Sequence, residues 1–100
     1  LVFDMRMYEA SPGDREIAPD YVYSDGVWTY FQYGSKAESA DWPVVLRIVD
    51  GVETRVNTRT AGKKGNVLIA EAVGNFVLRN GTKVVCVKKD PAYDGSAASH

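Results

Sequence analysis

Three Asx-Gly pairs, Asp25-Gly26, Asp50-Gly51 and Asn80-Gly81, each stand between two runs of β-branched and aromatic residues. Two-residue hairpin turns need positive φ, which glycine tolerates at little cost, so each pair reads as the tip of a β-hairpin. Three such tips in 100 residues leave no room for a helical fold. The runs they separate fall at residues 2–8, 21–23, 27–33, 43–49, 52–58, 66–70, 76–79 and 83–88. Ser11-Pro12-Gly13-Asp14 breaks the first run, and Ile17-Ala18-Pro19 reads as extended, because residues before proline avoid the α region. Residues 34–41 and Gly62-Lys63-Lys64-Gly65 read as loop and turn, and residues 71–75 as a single helical turn. The expected architecture is all-β: a small antiparallel β-sandwich, immunoglobulin-like in size, with at most one short helical turn. The sandwich spans residues 1–89, and the small polar stretch 90–100 reads as a flexible tail.

Period-two alternation assigns faces. Val44, Leu46 and Ile48 share one face, as do Val52, Thr54 and Val56. Val84 and Cys86 lie opposite Val85 and Val87. Strands that are apolar on both faces are expected to be covered on both, by the domain core on one side and by further protein on the other. That second cover is either a neighbouring chain or another part of this domain. The chain starts with Leu1 inside an expected strand, so it reads as a piece of a longer protein, and a missing leader says nothing about compartment.

The residues offer little for catalysis. The lone histidine, His100, is the last residue, and nucleophilic catalysis needs a base held within hydrogen-bond reach. One histidine and one cysteine are too few for a zinc site. The glycines at 62 and 65 lack the spacing of a phosphate-binding loop. Asp14 with Glu16 and Asp50 with Glu53 flank turns, where acidic side chains serve local hydrogen bonds and solvation. The expectation is a chain that is no enzyme, with no cofactor and no metal. Twelve basic residues against 13 acidic ones give a net charge of −1, which supplies no electrostatic argument for direct nucleic-acid binding.

Two features point to binding. Tyr21, Tyr23, Trp28, Tyr30, Phe31, Tyr33 and Trp42 crowd one part of the chain. Aromatic crowding serves a core and cross-strand pairs, or a surface that receives a peptide or sugar. Cys86 has no intrachain partner. It is read either as a small buried apolar residue or as a thiol open to an intermolecular bridge. The candidate partner-binding residues are Tyr21, Tyr23, Trp28, Tyr30, Tyr33, Val85, Cys86 and Val87.

The stretch from Ile17-Ala18-Pro19 through Val22-Tyr23, Asp25-Gly26 and Thr29 to Tyr33 resembles a signature of the conjugal-transfer TrbG/CagX family, in its C-terminal domain. Trp42-Pro43-Val44-Val45, Asp50-Gly51 and Val56-Asn57 follow in that family's order, and then Phe76-Val77-Leu78-Arg79-Asn80-Gly81 and Val84-Val85-Cys86-Val87. The family more often has Leu-Pro where this chain has Trp42-Pro43. The resemblance implies a β-sandwich from an exported structural subunit of a type IV secretion outer-membrane core complex. It implies a small outer-membrane lipoprotein and an inner-to-outer membrane bridging subunit as partners, and a ring of copies. It also implies a periplasmic, outer-membrane-associated location and a channel that passes DNA or protein. Some members of that family carry a cysteine near this position that pairs with the lipoprotein, and whether Cys86 does so depends on whether its thiol faces outward. The alternative is a periplasmic or extracellular sandwich that binds a peptide or carbohydrate.

Overall fold

A computed structural model describes residues 2–34, 42–62 and 66–93. Among the described residues, nine strands form two antiparallel sheets: β1 (Met5–Glu9), β2 (Tyr21–Ser24), β3 (Thr29–Gln32), β4 (Val44–Val49), β5 (Val52–Arg55), β6 (Thr58–Ala61), β7 (Val67–Ala70), β8 (Phe76–Asn80) and β9 (Lys83–Lys89). One sheet has the order β1-β9-β8-β4-β5 and the other β2-β3-β7-β6. The expected all-β sandwich is what the chain forms.

The core lies between the sheets. Phe31 on β3 and Phe76 on β8 are both wholly buried, and their rings meet edge-to-face at 5.5 Å across the sandwich. Val22, Val45, Leu68, Leu78, Val85 and Val87 close around them. Each such side chain contributes about 1.5–3 kcal/mol by leaving water. Tyr33 closes one end, with its hydroxyl donating to the Ile17 carbonyl at 2.7 Å and its ring meeting Trp42 at 5.0 Å.

The turns explain where strands begin. Asp50 and Gly51 both take positive φ, 51° and 78°, the pattern of a type I′ hairpin. In the third hairpin the strand runs on to Asn80, and the loop residues are Gly81 and Thr82, with positive φ at Gly81 alone. The strand expected at 27–33 begins only at Thr29. Asp25 Oδ1 accepts the amides of Val27 and Trp28 at 2.9 and 2.8 Å, which holds both residues in the turn.

Two expected strands change sheet midway. Val2 bridges Ser24 on β2, and after Asp4 the chain joins β9 as β1. The run 52–58 divides at Val56-Asn57: Val52–Arg55 pairs with β4, and Thr58–Ala61 pairs with β7. The Asn57 carbonyl accepts the Glu71 amide at this crossing. Alternation alone does not mark such a crossing, because each half keeps its own period.

The helical turn lies at Pro12–Glu16, not at 71–75. Gly74, with φ of 136°, takes that stretch out of helical space. Asp14 anchors the turn although it is 3% exposed. Its carboxylate accepts the amides of Ala10 and Ser11 at 2.9 Å and of Val84 at 3.1 Å, joining the turn to β9. These donors, the Val84 amide foremost, hold its pKa below the ordinary carboxylate value.

Residues 90–93 form a turn on the sandwich: the Asp90 amide donates to the Asp4 carbonyl, and Arg6 pairs with Asp90 and sits over the Tyr93 ring. The rest of the expected tail, 94–100, lies outside the described residues, as do 35–41 of the expected loop and residues 63–65 of the expected turn.

Candidate functional site

The outer face of the five-stranded sheet carries an apolar row. Strand pairing sets Tyr8, Cys86, Val77, Leu46 and Arg55 side by side across β1, β9, β8, β4 and β5. All five project away from the core, because their sequence neighbours Met7, Val85, Val87, Phe76, Leu78 and Val45 project into it. Tyr8 is 47% exposed and Cys86 is a half-exposed free thiol. Val77 is buried, and among the described residues no further sheet lies on this side of it.

Charges frame the row. Arg79 makes a two-pronged pair with Glu53, both contacts at 2.7 Å. The pair raises the arginine pKa and lowers the glutamate's, so both stay ionised. Lys88 holds its ammonium 5.9 Å from the Tyr8 ring centroid. What results is a shallow apolar strip with polar margins, a shape that receives extended polypeptide.

The outer face of the four-stranded sheet is aromatic. Tyr23 lies among Phe3, Tyr21 and Tyr30, at centroid distances of 5.4, 6.1 and 5.0 Å. Tyr30 donates its hydroxyl to Asp25 at 2.6 Å, and Gln32 Nε2 donates to the Tyr23 hydroxyl. Asp25, accepting from the Trp28 amide, the Tyr30 hydroxyl and the Val27 amide, is held down at about 2. Arg59 sits 4.8 Å from the Trp28 ring centroid and pairs with Glu71. Tyr23 stacks on Tyr21 and Tyr30, and the Tyr23 and Tyr30 hydroxyls are engaged locally. This is a cross-strand clasp; a sugar platform needs ring faces turned to solvent.

The eight candidate residues therefore separate into three places. Tyr21, Tyr23, Trp28 and Tyr30 form the partly exposed clasp on one sheet. Cys86 lies on the outer face of the other. Tyr33, Val85 and Val87 are corrections: each is 0% exposed and belongs to the core. For the two valines the inward side of β9 decides this, and for Tyr33 the bond to Ile17 does. Tyr8, Val77 and Leu46 escaped sequence reasoning. Their alternation with core residues was visible, but the cross-strand register that aligns them with Cys86 was not.

The family model for CagX, conjugal transfer protein, matches residues 4–90 of the chain. No curated protein matches it.

Proposed function

This chain belongs to the CagX family of conjugal transfer proteins, with a role related to type IV secretion, and on that premise we propose that it is a structural subunit of an outer-membrane core complex. In this reading the domain is a scaffold and not an enzyme. It works in the periplasm at the outer membrane, where copies assemble into a ring around a channel for DNA or protein. A small outer-membrane lipoprotein and an inner-to-outer membrane bridging subunit are its partners. Nucleic acid passes through the assembly without being gripped by this domain, whose chain carries a net charge of −1.

The observation that carries the reading is the apolar row Tyr8, Cys86, Val77 and Leu46 on a sheet face with no covering layer among the described residues. An extended lipoprotein segment laid along this row covers it, passing over Cys86 between Tyr8 and Val77. The aromatic clasp, engaged within its own sheet, favours this reading over a sugar-binding module.

Calorimetry with the lipoprotein's periplasmic segment tests it. Tyr8 is exposed, so Tyr8→Glu leaves the fold intact and puts a charge into the strip. Affinity is expected to fall about tenfold, the cost of losing one aromatic contact. Unchanged affinity for Tyr8→Glu would remove the strip from the interface.

A further inference from the structure

A different surface, the side of the sandwich where one run of chain borders both sheets, carries a second inference. β5 is the outermost strand of the five-stranded sheet and β6 of the four-stranded one, and only Val56-Asn57 separates them. From Val52 to Thr60 every residue is exposed except half-buried Val56. Among the described residues, neither strand has a neighbour on its outer side. The run is rich in β-branched residues, Val52, Thr54, Val56, Thr58 and Thr60, and has no proline. Edge strands usually carry features that block further pairing, such as proline, lysine or a bulge. This edge lacks proline and lysine, and of its charged side chains Glu53, Arg55 and Arg59, the first and last are already paired, to Arg79 and Glu71.

Beside the edge lies a groove of about 260 Å³, lined by Pro43, Val44, Val45, Arg55, Val56 and Thr58. It falls below the ~300–1,000 Å³ of small-molecule sites. Its apolar wall is Pro43, Val44, Val45 and Val56, which suits aliphatic side chains. The Arg55 side chain, part of its lining, makes no ion pair or hydrogen bond to any described residue, whereas Arg59 and Arg79 are paired to Glu71 and Glu53.

Three requirements follow for an occupant. The open edge asks for extended backbone, the groove for an aliphatic side chain, and Arg55 for a carboxylate close to that side chain. We propose that the β5–β6 edge is a second docking site, which takes an extended polypeptide strand carrying an acidic residue next to an aliphatic one. Main-chain hydrogen bonds hold the strand, and the groove and Arg55 select it, as in other cases of strand addition. The site goes beyond the lipoprotein strip: the strip's contacts are Tyr8, Cys86, Val77 and Leu46 on a sheet face, and this site lies on the sandwich's side, meeting that row only at Arg55.

The test titrates the ¹⁵N-labelled chain with a blocked octapeptide that alternates valine and threonine and carries one glutamate. The same peptide with lysine for glutamate, and one N-methylated at alternate amides, serve as comparisons. Shifts and slowed amide exchange along residues 52–61 are expected, with the N-methylated peptide silent. The glutamate peptide should bind about two- to fivefold more tightly than the lysine peptide, the range of an exposed ion pair. Arg55→Glu should reverse that preference while keeping the spectrum of a folded chain. Shifts confined to the Cys86 face, no response at all, or an Arg55→Glu preference that stays as in the parent would overturn the proposal. Concentration-dependent protection of the edge in the free chain would overturn it in favour of a second copy as occupant. Because the octapeptide is unrelated to the lipoprotein, its failure leaves the strip's role standing, and failure of the Tyr8→Glu test leaves this site standing.

Discussion

Removing one oxygen from the core separates what holds the fold from what meets a partner. Tyr33 has no exposed surface, and its hydroxyl donates to the carbonyl of Ile17, itself 3% exposed, at 2.7 Å. Tyr33→Phe keeps the ring and its contact with Trp42 but leaves that carbonyl without its donor. An unsatisfied buried acceptor costs about 1–3 kcal/mol. For a domain of this size, each kcal/mol lowers Tm by roughly 4–8 °C, so a fall on the order of 10 °C is expected. Burial pushes the Tyr33 phenol well above its ordinary value of 10, so the bond persists through mildly alkaline conditions. Urea unfolding followed by tryptophan fluorescence measures the loss directly, since Trp42 lies 5.0 Å from the Tyr33 ring. The slope of the transition should stay unchanged, and so should lipoprotein affinity. A Tyr33→Phe chain as stable as the parent but weaker in binding would refute the reasoning and return Tyr33 to the surface.

Three further outcomes follow from the same contacts. The pKa of Asp25 falls from 3.8 to about 2 on folding, so its stabilisation is present above 3.8 and is lost as pH drops toward 2. Urea midpoints measured from pH 5 to 2 should therefore fall less steeply for Asp25→Asn than for the parent. Gly51→Ala should cost about 1 kcal/mol in equilibrium unfolding, because alanine resists the 78° φ of the turn. A double-mutant cycle of Phe31→Leu and Phe76→Leu should show coupling of about 0.5–1.5 kcal/mol, and additive losses would deny the edge-to-face contact a role.

The sandwich was legible because its turn residues and alternation agree. Asp50-Gly51 takes the backbone geometry its sequence implies, and β4 and β5 follow from it. The faces of β9 were legible too: Val85 and Val87 alternate with Val84 and Cys86, and the structure sends the first pair inward. What alternation cannot say is which face is inward, so the two valines were grouped with Cys86 as candidates for contact. The crossings at Val56-Asn57 and Phe3-Asp4 were hidden for a related reason. Both halves of each run look like strand, and the decision to change sheets is made by partners distant in sequence, Glu71 for one and Ser24 for the other. Asp14 read as a turn residue. Its third hydrogen bond, to Val84, spans 70 positions and has no local signature.

The central claim is that a partner lies along Tyr8, Cys86, Val77 and Leu46. A two-dimensional NMR titration of the labelled chain with the lipoprotein's periplasmic segment tests it most directly. The account predicts shift changes at the amides of these four residues and of Lys88, with the aromatic clasp at Tyr23 and Tyr30 unmoved. Shifts gathered on the clasp, with the five-stranded sheet silent, would contradict it.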